Sequence, residues 1–352
     1  MRSPWIFCLL CMGLLAQQRC SRPDVHVETA PDAAPASETS GPLNVAFYNV
    51  ENLFDTVDDP QTDDQQFLPS SEKEWTQKRF ATKIDHLAEV LSQMFNNDLP
   101  DVIGVCEVEN RTVLEALVAH PLLTENGYDI VHRNSPDGRG IDCALLFNPS
   151  RIQIDKSAWH KVVLPVRDRK NTRDIVYARG ISGDDTLHFF VNHWPSRYGG
   201  KDVSEPRRLT AAYLLDNAID SIRKAVPGAQ VLCMGDFNDH PNDKSIQQVL
   251  GANISKPSQL FNFMAELHKE GGGTYNYKGD WGALDQFIGT WNFIDGEAAF
   301  KADRQAAEPF RREFMMYVND RGEAYPSRTY GGPNYYGGYS DHLPIKMTLI
   351  QQ

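Results

Sequence analysis

Two polar side chains follow a buried run in the segment AQVLCMGDFNDHP, residues 229–241. The apolar residues 231–234 predict a strand that is covered on both faces. Asp236 and Asn238 stand two positions apart directly after it, so in an extended segment they share a side while Phe237 faces the other way. Their oxygens could bind a cation or orient a water molecule, or they could serve a turn, since Asp and Asn are common turn residues.

Polar residues also stand at the ends of other apolar runs. They are Asn49, Glu51, Glu107, His193, Asp285, Asp341 and His342. Each one alone has an ordinary explanation, such as an Asx turn, a helix cap, an ion pair or a structural histidine. Their recurrence in one chain favours a shared site, because rigid strands can bring such side chains together at one edge of a sheet.

The residue types in this set indicate a particular chemistry. Carboxylate and amide oxygens, with few histidines and no cysteine, suit Mg²⁺ or Mn²⁺ rather than zinc. A metal, a carboxylate that orients or deprotonates water and two histidines together fit the hydrolysis of a phosphoester. In such a site the cation offsets the phosphate charge, and a histidine donates a hydrogen bond or a proton as charge develops.

The elements that would position these residues are short buried strands separated by helices. Apolar runs predict strands at 43–50, 101–108, 143–148, 187–193, 229–236, 284–289 and 343–350. Apolar residues three and four positions apart predict helices within 72–95 and 204–226, the second capped by Ser204 with Pro206 in its first turn. Because strands and helices interleave without a second linker, the sequence predicts one α/β domain over residues 43–352.

Six motifs resemble those of the endonuclease/exonuclease/phosphatase superfamily, in that family's order, over about residues 44 to 350. They are YNVENL, GVCEVEN, VNHWPS, GDFND, LDQFIG and GGYSDHLPI. The resemblance is to an exported, bacterial-type member and implies the deoxyribonuclease I-like fold. That fold is a four-layer α/β sandwich, two mainly antiparallel β-sheets packed face to face with helices outside. The resemblance also implies a Mg²⁺- or Mn²⁺-dependent phosphodiesterase or phosphomonoesterase.

Carried across position by position, the resemblance implies a metal site. Glu107 would be the principal ligand, Asn49 would lie at the metal, and Asp341 would contribute. Glu51 matches a position that is acidic in some relatives, and it would support a second metal or its waters.

The same resemblance implies catalytic roles. Asp236 would hold or deprotonate the attacking water, and Asn238 would contact the phosphate. His342 would bind the phosphoryl oxygens as negative charge grows, with Asp285 fixing its ring. His193 matches the histidine that the deoxyribonuclease-like branch uses near the leaving group of the substrate.

Three further features surround this set. Arg139, in DGRGIDCALLF, precedes a strand that contacts substrate in relatives, so it would hold a phosphate or form a structural ion pair. The Tyr- and Gly-rich segment 325–342 could stack on a base or a sugar, or could be an ordinary rigid loop. His240 is not expected to take part in catalysis, although it follows Asp236 and Asn238 closely.

The N-terminus has the pattern of an export signal. Arg2 precedes the apolar run WIFCLLCMGLLA, which is too short to span a bilayer well. We therefore predict an export signal over residues 1–20 and a periplasmic, extracellular or outer-surface location. Cys20 is a candidate for lipid anchoring, which stays open because Arg19 stands where a lipobox has a small residue. Residues 21–42, rich in Pro, Ala, Ser and acid, predict a flexible linker.

Composition limits the classes of partner. The 352-residue chain is 41% hydrophobic with a formal net charge of −12, which fits a globular protein and argues against broad coating of nucleic acid. It does not exclude an enzyme that contacts a phosphate through a metal. Cys106, Cys143 and Cys233 lie in apolar runs and are predicted to be buried free thiols. Nothing in the sequence points beyond a monomer.

Three functions remain open. The first is an exported, metal-dependent phosphodiesterase, most simply a nuclease that uses in-line attack of water. The second is a phosphatase or phospholipase C-like hydrolase of lipid head groups or sugar phosphates, which the acidic charge favours. The third is a non-catalytic binding protein on the same scaffold. Such a protein would be expected to lack one of Glu107, Asp236, Asn238 and His342, and all four are present.

Overall fold

The computed structural model describes residues 25–29, 41–96, 98–165, 171–256, 259–295 and 297–352. The predicted export signal, residues 1–20 with Cys20, lies outside the described residues. Within these ranges, no helix combines the length and the hydrophobicity that crossing a bilayer requires.

Strands dominate the described part of the chain. In chain order they are β1 (Val25–Thr29), β2 (Leu43–Leu53), β3 (Val102–Val108), β4 (Asp129–His132), β5 (Asp142–Phe147), β6 (Gln153–His160), β7 (Ile175–Ser182), β8 (Asp185–His193), β9 (Gln230–Asp236), β10 (Ala252–Asn253), β11 (Leu260–Asn262), β12 (Tyr275–Tyr277), β13 (Asp280–Gly282), β14 (Asp285–Thr290), β15 (Phe300–Lys301), β16 (Glu308–Pro309), β17 (Met316–Val318), β18 (Ala324–Pro326), β19 (Tyr330–Gly331), β20 (Asn334–Tyr335) and β21 (Ile345–Gln351). The seven strands predicted from apolar runs are confirmed as β2, β3, β5, β8, β9, β14 and β21.

The helices are α1 (Gln77–Ser92), α2 (Arg111–Val118), α3 (Lys201–Ala225) and the short α4 (Ala265–Lys269). The prediction for the start of α3 is wrong, because the helix begins at Lys201 and Ser204 lies inside it. The Ser204 hydroxyl donates to the carbonyl of Gly200 at 2.7 Å instead of capping the helix. Pro206 consequently lies inside α3, beyond its first turn.

Most strands belong to one of two large sheets. The eight-stranded sheet has the order β1-β6-β7-β8-β9-β14-β11-β10, and the seven-stranded sheet has the order β15-β21-β2-β3-β5-β4 with β16 beside β21. Neighbours are antiparallel except for three parallel pairs, β8 with β9, β10 with β11, and β2 with β3. Both sheets are thus mainly antiparallel, as predicted.

Three apolar clusters divide the molecule into four layers. Phe47 and Leu145 of the seven-stranded sheet meet Phe189 and Phe287 of the eight-stranded sheet in the central cluster. The outer face of the seven-stranded sheet is covered by α1 and α2, and that of the eight-stranded sheet by α3. The predicted four-layer α/β sandwich is therefore confirmed, and the free thiols of Cys106, Cys143 and Cys233 are buried within it.

Part of the segment predicted to be a flexible linker forms a strand. Val25–Thr29 make up β1, which pairs antiparallel with β6 and places Val25 opposite His160. The sequence VHVET alternates β-branched and polar residues, a pattern that suits an edge strand. Ordered backbone therefore occurs before Leu43 at these five residues.

Candidate active site

Three neighbouring strands hold three of the predicted residues in register. His193 at the end of β8 is paired with Asp236 at the end of β9, and Asp236 is paired with Asp285 at the start of β14. The pairing of β8 with β9 is close, because a Cβ on Gly235 would lie only 2.4 Å from the carbonyl oxygen of Asn192. Gly235 therefore allows the strand ends to meet, rather than releasing the chain from the strand.

The seven-stranded sheet contributes through two β-bulges at the ends of β2 and β3. Glu51 and Asn52 lie in the first bulge and Glu107 in the second, and their φ angles are 49°, 55° and 64°. Such angles are costly for residues with a side chain, by about 1–3 kcal/mol each, and they cluster at functional sites. Bulges also re-aim side chains, and here the two bulges meet, because Oε2 of Glu107 accepts from the backbone N–H of Asn52.

Asp236 joins the two sheets. Its Oδ2 accepts from Nδ2 of Asn49 at 3.1 Å and from Nδ2 of Asn238 at 3.2 Å, and its Oδ1 accepts from the Asn238 backbone N–H at 2.9 Å. Asn238, with a φ of 50°, also donates from Nδ2 to the carbonyl of Trp194 at 3.0 Å. The predicted pair of Asp236 and Asn238 is therefore fixed by direct hydrogen bonds.

His342 and Asp285 form a buried pair. Nδ1 of His342 donates to Oδ2 of Asp285 at 2.7 Å, and the hydroxyl of Thr274 donates to the same oxygen. This leaves Nε2 of His342 facing Asp236, 3.9 Å from its Oδ2. Burial alone would lower the pKa of His342, but the carboxylates of Asp285 and Asp236 outweigh it and raise that pKa well above its ordinary value.

His193 lies on the other side of Asp236. Its Nε2 is 3.6 Å from Oδ2 of Asp236 and 3.7 Å from Oε1 of Glu107. Burial lowers the pKa of His193 well below its ordinary value, and the positive charges of Arg173 and Arg139 act in the same direction. The two histidines beside Asp236 thus have opposite tendencies, since His342 favours the protonated form and His193 the neutral form.

Carboxylates are concentrated at this edge. Burial raises the pKa of Asp236 to about 6, with Asp285 and Glu107 adding to the shift and His342 opposing it. Burial likewise raises the pKa of Glu51 to about 7, with Asp341 adding to the shift. This excess of negative charge, carried by oxygen donors, suits a divalent cation of the hard type.

The four residues predicted for the metal differ in their contacts. Oε2 of Glu107 accepts from the backbone N–H of Asn52 at 3.1 Å. Asp341 and Glu51 both face Arg328, whose Nη2 pairs with Oδ2 of Asp341 and whose Nε lies 3.9 Å from Oε1 of Glu51.

Asn49 presents its nitrogen to the carboxylates. Its Oδ1 accepts from the backbone N–H of Glu51 at 3.0 Å, while its Nδ2 faces Asp236 and, at 3.4 Å, Oε1 of Glu107. In this orientation Asn49 holds the two carboxylates together. Its predicted role as a direct ligand stays a prediction.

A second arrangement of donors occurs among the catalytic residues themselves. Asp236, Asp285 and His342 each offer an atom within 4.8 Å of the others, close enough to hold a metal ion. Oδ2 of Asp285, however, already accepts from both His342 and Thr274. We therefore interpret Asp285 and His342 as a hydrogen-bonded pair that faces Asp236, rather than as part of a ligand set.

Arg139 and His240 lie outside this group. The half-exposed Arg139 has its Nε 3.6 Å from Oδ1 of Asp137, and it borders a cleft of about 610 Å³ that it shares with Arg173 and Ser196. The phosphate role and the ion-pair role predicted for Arg139 are thus compatible. His240 contacts Arg197 and stacks on His268, with ring centroids 4.7 Å apart.

Sequence reasoning missed several residues that support the site. Lys83 is buried and donates from Nζ to the Thr329 hydroxyl at 2.7 Å, beneath the loop that carries Arg328. A lysine on the apolar stripe of α1 was the signal that could have identified it. Arg197 donates from Nε to the carbonyl of Asn238 at 2.8 Å, and nothing in its neighbourhood signals this contact.

Clefts border the catalytic group on two sides. The one that contains Arg139 and Arg173 is also lined by Pro195 and Ser196, and it adjoins Trp194, whose carbonyl accepts from both Arg173 and Asn238. Another, of about 750 Å³, begins at Asp341 and is lined by tyrosines. The residues predicted to be catalytic therefore have a recess near them on two sides, and these recesses could hold groups on either side of a phosphate.

Comparisons with known proteins agree with this architecture. The sequence model of the endonuclease/exonuclease/phosphatase family matches residues 44–351. The search of curated proteins gives no match.

Several solved structures share the fold. A D. rerio TDP2 humanized by 14 mutations has a TM-score of 0.54 at 15% identity, over 88% of this chain and 98% of that chain. The human nocturnin catalytic domain with bound sulfate has a TM-score of 0.53 at 15% identity, over 93% of this chain and 98% of that domain. A Bacteroides thetaiotaomicron mannosyl-6-phosphatase has a TM-score of 0.52 at 15% identity, over 87% of this chain and 99% of that enzyme. D. rerio TDP2 also matches in its complex with a single-strand DNA product. At such identities these likenesses show the fold.

Proposed function

Because the chain belongs to the endonuclease/exonuclease/phosphatase family of phosphoester hydrolases, we propose that it is a metal-dependent phosphodiesterase, most simply a nuclease. The observation that carries this proposal is the position of Asp236. Its carboxylate lies between Nε2 of His193 and Nε2 of His342, at 3.6 and 3.9 Å, and is anchored by Asn49 and Asn238.

We infer a role for each side chain from this geometry. Asp236 orients the attacking water and accepts its proton, because its carboxylate is fixed by amide donors. His342 donates from Nε2 to a phosphoryl oxygen as charge grows, since Asp285 holds its Nδ1. Asn238 contacts the phosphate, and His193 faces the leaving group.

The acidic residues at this edge fit a divalent metal, which we propose to be Mg²⁺ or Mn²⁺. Glu107 and Asp341 would hold it, with Asn49 and Glu51 beside them. The ion would neutralise charge on the phosphate oxygens. Glu107 is prepared for this role by its bulge and by the N–H of Asn52, which fix the direction of its carboxylate.

The two clefts favour a diester over a monoester. A phosphate placed at Asp236 would have the cleft of Arg139 and Arg173 on the Trp194 side and the tyrosine-lined cleft on the Asp341 side. A phosphomonoester would occupy only one of them. D. rerio TDP2, which shares the fold, has been crystallised with a single-strand DNA product.

Hydrolysis assays test this proposal. The purified chain should hydrolyse bis-p-nitrophenyl phosphate, plasmid DNA or RNA with Mg²⁺ or Mn²⁺, and should lose activity in EDTA. Asp236→Asn and His342→Ala should abolish turnover with little change in the thermal transition, whereas Asp220→Asn on the surface of α3 should have no effect. A protein that binds metal but hydrolyses none of these substrates would refute the proposal.

A second candidate is a phosphatase or phospholipase C-like hydrolase of sugar phosphates or lipid head groups. The formal net charge of −12 favours it, because a polyanion is repelled by an acidic protein. One neighbour in fold is a mannosyl-6-phosphatase. Release of inorganic phosphate, rather than of nucleotides, would identify this function.

We also propose export and a monomeric state. Export rests on residues 1–20 and on the linker that follows, so fractionation of the host cell and N-terminal sequencing of the mature protein test it. Labelling with a radioactive fatty acid tests lipid anchoring at Cys20. Sedimentation of the purified chain tests the monomer.

A further inference from the structure

One cleft beside the catalytic group is built largely from tyrosines. It has a volume of about 750 Å³ and is lined by five of them, Tyr275, Tyr277, Tyr317, Tyr325 and Tyr336. We call it the tyrosine cleft. Its size lies within the range of pockets that hold small ligands.

Two short hairpins arrange these rings. Tyr275 and Tyr277 stand two positions apart in β12, so they share a face, and Tyr317 in β17 lies directly opposite Tyr325 in β18. Nδ2 of Asn276 donates to the carbonyl of Ala324 at 3.1 Å and ties one hairpin to the other. Four of the five tyrosines are therefore placed by these hairpins, and Tyr336 directly follows β20.

The tyrosine cleft opens onto the reacting centre. The ring of Tyr275 packs on that of His342, with centroids 4.8 Å apart, and the two residues form an isolated β-bridge. Asp341 lines the same cleft. A group bonded to a phosphate at His342 would therefore enter the cleft directly.

Several polar side chains that could hydrogen-bond to sugar hydroxyls already form hydrogen bonds within the hairpins. Oδ1 of Asn276 accepts from the N–H of Gly279, and Oδ1 of Asn319 accepts from the N–H groups of Arg321 and Glu323. The Glu323 carboxylate accepts from both Asn319 and the hydroxyl of Tyr325. Four other polar residues complete the lining, Lys278, Ser327, Arg328 and Asp341. Arg328 pairs with Asp341, and Nζ of Lys278 lies 5.2 Å from the centroid of the Tyr277 ring. The tyrosine faces form the largest part of the remaining surface.

Three rings are largely open to solvent. The exposed fractions are 59% for Tyr277, 56% for Tyr317 and 63% for Tyr336. Among the described residues that line the cleft there is no Leu, Ile, Val or Met, so it does not suit an acyl chain. Exposed aromatic faces without aliphatic neighbours suit a flat aromatic ring.

We propose that the tyrosine cleft binds the nucleobase of the nucleotide whose phosphate is cleaved, on the side away from the leaving group. This inference rests on the proposed phosphodiesterase function and specifies its substrate. Stacking of a base on an aromatic side chain is tolerant of sequence, because every base has a π-face. The cleft thus provides affinity for nucleotides without a basic surface, which agrees with the acidic net charge.

Three esters with one leaving group test the inference. They are thymidine 5′-(p-nitrophenyl phosphate), the same ester of 1,2-dideoxyribose without a base, and methyl p-nitrophenyl phosphate. For the wild-type chain, KM for the thymidine ester should be about tenfold or more below that for the baseless ester, which is the size of effect that stacking on one ring supplies.

Variants of the exposed rings give the second comparison. Tyr277→Ala and Tyr317→Ala should remove most of the difference between the thymidine and baseless esters by raising KM for the first, and should leave methyl p-nitrophenyl phosphate unchanged. Tyr277→Phe should keep the difference. The matched control is Tyr213→Ala, which removes an equally exposed ring on α3.

Failure of the inference and failure of the proposed function give different results. Equal KM values for the thymidine and baseless esters, or equal losses on all three esters in the alanine variants, would overturn the inference. If the wild-type chain hydrolyses none of them, the proposed function fails, and calorimetric titration with thymidine 5′-monophosphate still tests the cleft. The inference is supported if Tyr277→Ala weakens binding of thymidine 5′-monophosphate and Tyr213→Ala does not. Equal affinity of the wild-type chain and both variants would overturn it.

Discussion

Oδ2 of the fully buried Asp285 lies 2.7 Å from Nδ1 of His342. The carboxylate stands on β14, in the core of the eight-stranded sheet, whereas the histidine lies just before β21 of the other sheet. The contact therefore spans the interface between the sheets. It fixes which nitrogen of His342 faces Asp236, because Nδ1 is already engaged.

Replacing Asp285 by Asn should impair catalysis without unfolding the protein. The asparagine keeps the shape but removes the charge that raises the pKa of His342. We expect kcat to fall by about 10²–10⁴-fold. The alkaline limb of the rate profile should also move to lower pH, since a less basic His342 loses its proton earlier. Steady-state rates from pH 5 to 9 measure both effects.

Thr274→Val serves as the comparison for Asp285→Asn. It removes the hydroxyl that donates to Oδ2 of Asp285 and accepts from the Asp285 backbone N–H at 3.2 Å, but it keeps the carboxylate. Its kcat should stay within about tenfold of wild type, because the charge that raises the pKa of His342 is kept. Equal losses of kcat in Thr274→Val and Asp285→Asn would show that the pair of Asp285 and His342 has only a structural role.

Arg197→Met should slow the reaction through Asn238. The guanidinium donates to the carbonyl of Asn238 at 2.8 Å and to Oδ2 of Asp243 at 2.7 Å, and so holds a residue at a φ of 50°. We expect kcat to fall by about 10–100-fold, the usual range for supporting residues. Lys201→Met is the control, because Lys201 pairs with the same Asp243, whereas Arg197 donates to Asn238 as well. Similar activity of the two variants would contradict the prediction.

The strands and the residues at their ends were predictable for a physical reason. Strands such as β3 and β9 are covered on both faces, so their sequences are continuous apolar runs that end sharply in polar residues. The strand β6 was not predicted, because it is half-exposed and its sequence QIDKSAWH has no such run. The hairpins around the tyrosine cleft have strands of only three residues, too short to show a period.

The local geometry of the site was beyond sequence reasoning. The positive φ angles of Glu51 and Glu107 are unfavourable for these residues and exist because distant groups hold them. Oε2 of Glu51, for example, accepts from the N–H of Thr329 at 2.7 Å, a contact between segments 278 positions apart. The roles of Lys83 and Arg328 depend on the same distant loop.

Arg328→Gln should tighten metal binding. Arg328 pairs with Asp341 and lies near Glu51, so its positive charge competes with a cation for the same carboxylates. Because the side chain is 44% exposed, we expect a gain of about three- to tenfold in affinity, on the order of 1 kcal/mol. Electron paramagnetic resonance of free Mn²⁺ during titration measures it, with Arg111→Gln on α2 as the control. Weaker binding in Arg328→Gln would show that the arginine organises the carboxylates instead.

His188→Gln should reduce the loss of stability in acid. Burial lowers the pKa of His188 to about 4, and the positive charge of Arg179 adds to this. The unfolded chain takes up this proton near pH 6.5, so between about pH 6.5 and 4 it binds more protons than the folded protein. The stability linked to His188 is therefore complete above about pH 6.5 and is lost as the pH falls toward 4.

Glutamine does not titrate, and its amide can still bond to the hydroxyl of Tyr177, which lies 2.8 Å from Nδ1 of His188. Between pH 7 and pH 5 the variant should lose about 2 kcal/mol less of its free energy of unfolding than wild type. Urea unfolding at the two pH values measures this difference. Tyr177→Phe removes the hydrogen bond but keeps the histidine, so it should retain the pH dependence of the wild type. If the free energy of unfolding of His188→Gln instead depends on pH as in wild type, groups other than His188 take up the protons on unfolding.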